Sequence, residues 1–309
     1  MKKIGKTSLF LILTFGISYL MAGLFYAFGG KLNSVSGFVI AIVYMLIPMT
    51  AVLIVEKLIY KEKIIQRLLI SFQINMWFLV AWILPLIIVA LTVMISLLFP
   101  NTHFSFGTEG IISFHEKTLT PEQIDALKQQ FENLPVSPVL IIVLQALFAG
   151  ITINAVAAFG EELGWRGFLL RQFENMNIWS ASVLIGFIWG IWHAPIILMG
   201  HNYPNHPVIG VFMMTAWCIL LSPLFLYITL KSRSVIAAAV FHGTINAIAG
   251  ITLLIVHGGN DLTMGVTGLA GFGALLVILT VLIVYDYFFS KSKIMQGVIA
   301  NHLPEVEQE

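Results

Sequence analysis

Charge is what this sequence has least of. Asp, Glu, Lys and Arg make up 10% of its 309 residues, and hydrophobic residues make up 59%. Soluble domains carry about 25% charged and roughly 45–50% apolar residues. Sixteen basic and fifteen acidic side chains cannot give this much apolar mass a polar skin, so a soluble enzyme, a disordered chain and a fibrous repeat are excluded. The net charge of +1 leaves no basic surface for nucleic acid. Cysteine is nearly missing too. Cys218 stands alone, which permits no internal disulfide and no thiolate metal site. Also lacking are a Gly-x-Ser-x-Gly nucleophile elbow, a cysteine near a histidine, an HExxH helix, a Gly-rich phosphate loop, an internal repeat and any sign of a second domain.

What the chain has instead is long apolar runs. A helix needs about 20 apolar residues to cross the hydrocarbon core, and eight stretches qualify: about 7–29, 36–55, 76–99, 138–172, 178–199, 207–230, 234–256 and 264–289. The expected fold is an all-α polytopic membrane protein of eight transmembrane helices, forming one domain over 1–309. The N-terminal run is near 20 residues with no small-x-small cleavage site, so it is read as the first span rather than a signal peptide. Lys and Arg concentrate on one side of this topology. The segments joined to the N-terminal side hold Lys2, Lys3, Lys6, Lys57, Lys61, Lys63, Arg67, Arg166, Arg171, Lys231, Arg233, Lys291 and Lys293, against Lys31, Lys117 and Lys128 on the other. Both termini are therefore expected in the cytoplasm. The 100–137 connection lies outside, where Thr120 and Pro121 start an amphipathic helix with Ile124, Leu127, Phe131 and Leu134 on one face.

Three charges sit where membrane depth should forbid them. Each ionisable group there costs roughly 2.5–3.5 kcal/mol on insertion scales and marks a functional site by default. In the sequence EELGWR, Glu162 and Arg166 stand at i,i+4 and can satisfy each other as a buried pair. Glu161 is left over, rotated about 100° from Glu162. His193 and His242 lie in the fifth and seventh stretches, and Asn246 shares a helix face with His242. If the fourth helix runs on through GFLLRQF, Glu161 lies about 20 Å deep, and His193, His242 and Asn246 fall about 22, 12 and 18 Å into their spans. The four groups can then meet in one layer. The fourth stretch is too long for one upright span, which implies tilt, a kink near Gly150, or a non-spanning start.

A carboxylate with a neutral imidazole can hold and deprotonate a water. A second imidazole and a carboxamide N–H suit a developing oxyanion. Hydrolysis by an activated water is the natural inference. The alternative is a zinc site of Glu161, His193 and His242 with water in the open position; Asn246, a poor zinc ligand, counts mildly against it. The histidines of the outer connections, His103, His115, His201, His206 and His257, read as solvated loop residues, and Cys218 as packing. Trp77, Trp179, Tyr203 and Tyr287, near span ends, read as interfacial anchors.

These motifs resemble a known family. EELGWR matches the EExxxR signature, and FHGTIN contains the HxxxN signature, of the CPBP family of CAAX prenyl proteases and related bacterial intramembrane proteases. The family's Phe-x-x-x-His motif appears as WGIWH, with Trp189 in place of the Phe. The resemblance spans about 147–250, and an eight-span bundle is similar to the family's. It implies an intramembrane endopeptidase in which Glu161 and His193 activate the water, His242 and Asn246 form the oxyanion hole, and Glu162 and Arg166 orient the site. Zinc is a possible cofactor. The implied setting is a prokaryotic plasma membrane, with the site open to the cytoplasmic side and a peptide, CAAX-type tail or membrane protein as substrate. A catalytically silent immunity or scaffold protein is a competing class, against which the intact motifs count. A proton-coupled transporter is another, but no paired broken helices appear in the two halves.

Overall fold

A computed structural model describes residues 5–105, 120–132 and 136–304. Among these the chain is almost wholly helical: α1 (Lys6–Ala27), α2 (Val35–Val52, continued by a π-helical stretch Leu53–Ile59), a short α3 (Ile64–Arg67) and α4 (Met76–Ser96). After the outer connection come α5 (Pro121–Glu132), α6 (Pro138–Ile151), α7 (Ile153–Glu162), α8 (Ile178–Trp192), α9 (Ala194–Leu198), α10 (Pro207–Ser232), α11 (Val235–Ile248), α12 (Ile251–Ile255) and α13 (Leu269–Phe288). Six helices are long and apolar enough to cross a membrane, and a seventh crossing arises if α6 and the bent continuation through Gln172 count as one. The all-α polytopic class stands.

The bundle is arranged around α11, which packs against α7, α6 and α4, while α8 packs along α10. α10 and α11 are the most enclosed spans, whereas α1, α2 and α4 turn large apolar side chains such as Leu20, Phe38 and Met94 outward. With hydrocarbon as the outer solvent, an apolar skin costs nothing. Close packing there depends on small residues. A Cβ on Gly243 would lie 2.6 Å from the carbonyl of Gly150, and one on Gly150 2.7 Å from Thr244 Cα, so α11 seats its backbone in the crook of the α6–α7 bend.

That bend is 46° and falls at Thr152 (φ −114°, ψ −103°), beside the expected kink. Thr152 Oγ1 donates back to the Phe148 carbonyl at 2.8 Å, the kind of side-chain bond that competes with a continuing helix. The fifth stretch departs from expectation. It runs unbroken only from Ile178 to Trp192, and His193 ends it. The cause is Pro195, which has no N–H to offer the Ile191 carbonyl. Tyr19 of α1 donates its hydroxyl to that carbonyl at 2.6 Å, and Tyr44 of α2 donates to the Trp192 carbonyl at 2.8 Å.

The two ends of the bundle differ. At the end holding both termini, Lys6 and Arg67 pair with Glu56 and Glu62, and Asn75 Nδ2 donates to the Ser232 carbonyl. There, too, Trp179 Nε1 donates to the Met295 carbonyl, and the backbone of Ile299 to that of Met176. Asp286 is fully buried at this end and accepts from Tyr227 and from the backbone N–H groups of Ile294 and Met295. At the other end, β1 (His103–Phe104) pairs with β2 (Val256–His257), and His206 and the Asn205 N–H bind Asp261. α5 starts as expected, with Thr120 and Gln123 capping each other reciprocally; Leu134, His115 and Lys117 lie outside the described residues. Tyr203 is not an interfacial anchor: it is fully buried and donates to the Thr267 carbonyl. Arg166 does not belong to a connection either, since it is buried in the core.

Candidate active site

The fourth stretch continues past its charges, as the apolar GFLL run implies. α7 ends at Glu162, a π-helical stretch follows over Leu163–Leu169, and a last helical turn reaches Gln172. Single π turns inside helices recur at functional sites. Here the wide turn begins directly after Glu161 and Glu162. Both are buried, at 3% and 0% exposure.

Each charge has a defined partner. Glu162 Oε1 accepts from Arg166 Nη1 at 3.1 Å and from His242 Nδ1 at 2.7 Å, so one oxygen joins the fourth stretch to α11. The Arg166 guanidinium lies 3.9 Å from the Phe225 ring centroid and 4.4 Å from that of Trp189, and its Nη2 donates to Ser222 Oγ. Burying a lone guanidinium would cost several kcal/mol; a carboxylate plus two aromatic faces offsets this. Glu161 is held differently. Its Oε2 accepts from the Trp189 indole at 2.7 Å and from the Trp165 indole at 3.4 Å. Both donors are neutral.

His193 sits where α8 stops. Its Nδ1 is 2.8 Å from the Trp189 carbonyl oxygen, and since a carbonyl can only accept, Nδ1 carries the proton and Nε2 keeps its lone pair. Trp189 thus holds two members of the site, Glu161 through its side chain and His193 through its backbone. The motif marks this position only as aromatic, a departure from Phe-x-x-x-His that leaves the imidazole in place. The indole N–H is what a phenyl ring lacks.

Glu161, His193, His242 and Asn246 line one cavity of about 280 Å³, closed along its sides by Tyr44, Trp189, Trp192 and Trp217. The structure therefore brings together the four groups that the sequence singles out, from three separate helical segments. Asn246 is exposed on the cavity wall. Beneath Glu161 the floor is dry, with Trp165, Arg166, Phe168 and Leu169 at 0% exposure. No group of three or more His, Cys, Asp or Glu side chains among the described residues is arranged to hold a metal ion. Glu161 Oε2 is turned to two indoles, and the two Nδ1 atoms are held by a carbonyl and a carboxylate, which leaves the Nε2 atoms for the chemistry of the site.

His201 is an exposed loop residue, as its place in the sequence suggests, and it also lines this cavity together with Leu32, Asn202 and Thr267. An adjoining recess of about 590 Å³ shares Leu32, His201 and Asn202 with it and is edged by Lys31 and Asn33. These residues belong to the end of the bundle opposite the termini. Cytoplasmic termini and a cytoplasmic mouth, both expected from the sequence, do not fit together in this structure.

Residues 135–248 match the family model for the type II CAAX prenyl endopeptidase, Rce1-like. The chain is also 35% identical over 101 residues to CAAX prenyl protease 2 of Methanococcus maripaludis, an alignment covering 29% of this chain. Over this segment the chain is similar to CAAX prenyl endopeptidases. The chain spans 36% of the length of that curated relative. The matched segment contains Glu161, His193, His242 and Asn246, and Trp189 with them.

Proposed function

We propose that the protein is an intramembrane endopeptidase that cleaves a peptide bond with an activated water. The single observation carrying this is one buried cavity holding an acid, two imidazoles and a carboxamide, each from a position the family's motifs mark. Glu161 and His193 Nε2 are the bases that hold and deprotonate the water; a positioned base contributes about 10²–10⁴-fold. His242, fixed by Glu162 at Nδ1, donates from Nε2 together with Asn246 to the oxygen of the tetrahedral intermediate. A proton on that ring is balanced by Glu162. The amine leaving group then takes a proton from the base that accepted it from water.

A zinc ion held by Glu161, His193 and His242 with water in the open position is the alternative, and a chelator titration of peptide cleavage decides between the two. Eight crossings follow if the α6–α7 pair and the 178–198 segment broken at His193 each count as one. The substrate class is a peptide or a segment of a membrane protein. The test is cleavage of an internally quenched peptide library by purified protein, compared with Glu161→Ala and His193→Ala. Turnover by wild type that both variants lose supports the assignment; equal turnover by all three overturns it.

A further inference from the structure

The mouth of the cavity lies on the end of the bundle that carries almost no positive charge. Three independent links define that end: the β1–β2 pairing, the His206–Asp261 contact and the Tyr203–Thr267 bond. Leu32, His201, Asn202 and Thr267, which reach the cavity, all sit in its connections. Of the described basic residues outside the core, this end holds Lys31 and Lys128, whereas the opposite end holds ten: Lys6, four in 57–67, Arg171, Lys231, Arg233, Lys291 and Lys293. Short connections rich in Lys and Arg stay in the cytoplasm. Access from the basic end is blocked, because the fully buried layer of Arg166, Phe168 and Leu169 lies between it and Glu161.

We infer that the active site opens on the non-cytoplasmic face of the membrane, so that its substrate is a peptide or membrane-protein segment presented from outside the cytoplasm. The inference rests on the endopeptidase reading for the word substrate, and on side-chain placement alone for the direction of access. It sets this protein apart from any enzyme that trims tails in the cytoplasm. A prenylated chain end anchored on the inner leaflet meets the basic, closed end and has no path to Glu161. Substrates that fit are those delivered across the membrane, with the scissile bond near the outer headgroups. The reaction that supplies them is therefore an export or insertion step.

Cys218 is fully buried and is the chain's one cysteine, so single new cysteines can be read against a silent background. Asn33→Cys and Asn205→Cys mark the mouth end; Lys57→Cys and Lys291→Cys mark the basic end. In intact cells a sulfonated, membrane-impermeant maleimide is expected to label the first pair fully and the second pair only after permeabilisation. The reverse pattern overturns the inference. A second arm places the internally quenched peptide library outside sealed vesicles of each orientation. Cleavage by right-side-out vesicles supports the inference, and cleavage confined to inside-out vesicles contradicts it. Should detergent-solubilised protein cleave nothing, the endopeptidase reading fails, while the labelling pattern still decides the direction of the mouth.

Discussion

Trp189→Phe is the sharpest perturbation of the site, because it removes one hydrogen bond and little else. The substitution restores the family's Phe-x-x-x-His pattern and keeps an aromatic face beside Arg166, whose guanidinium lies 4.4 Å from the Trp189 ring. It also keeps the backbone carbonyl that holds His193 Nδ1. What goes is the indole N–H donated to Glu161 Oε2 at 2.7 Å, leaving the Trp165 indole at 3.4 Å. A hydrogen bond to a charged group is worth about 1.5–3 kcal/mol. At about 1.36 kcal/mol per decade, kcat/KM is expected to fall about 10–150-fold, through kcat rather than KM, because the lost bond orients a base and binds no substrate. Trp217→Phe is a matched control of equal volume change: its indole nitrogen is buried with no partner, so it forfeits no such bond. Cleavage of a quenched peptide, with thermal unfolding measured in the same detergent, reads the difference. Wild-type kcat in Trp189→Phe, or an equal loss in both variants, would refute the claim that the indole positions Glu161.

Other outcomes follow from the same geometry. His242→Ala and Asn246→Ala are each expected to lower kcat about 10²–10³-fold, as loss of one oxyanion donor does elsewhere, with substrate binding nearly unchanged in a direct titration. Glu162→Gln leaves the guanidinium of Arg166, at 0% exposure, without its counter-charge; breaking such a buried pair costs about 3–5 kcal/mol, visible as a lowered denaturation midpoint in micelles. At the mouth, burial alone would raise the Asp261 carboxyl, but His206 and the Asn205 N–H outweigh it and hold it below the ordinary range. Its stabilisation of the 256–268 connection is thus fully present above the ordinary aspartate value of about 3.9 and fades as pH falls through the lower folded value. Hydrogen-exchange protection factors of that connection, corrected for the intrinsic pH dependence of exchange, are expected to fall on acidification in wild type and to be insensitive to it in Asp261→Asn.

Much of this architecture is legible in the chain. Apolar length marks out the spans, and the excess of three charges over one possible pair isolates Glu161 by count alone. The Gly150–Thr152 bend is foreseeable because 35 residues cannot cross upright. Pro195 is equally plain two residues beyond His193, and its missing N–H is the reason α8 ends there; the unbroken apolar character of 178–199 masks that break. The wide π turn after Glu162 has no signature in composition or periodicity. Nor has the partnership of Tyr19 and Tyr44 with carbonyls of α8, which depends on how three helices cross. Which end of the bundle splays to form a mouth is likewise a property of packing, and the position of His201 and Leu32 puts it at the end opposite the basic connections.

The central claim is that Glu161 holds the attacking water, and Glu161→Gln tests it most directly, since it keeps the size and the indole contacts while removing the base. Single-turnover cleavage by purified protein, with folding verified by an unchanged unfolding midpoint, is expected to slow by about 10²-fold or more. Cleavage at the wild-type rate by a folded Glu161→Gln protein would contradict the account.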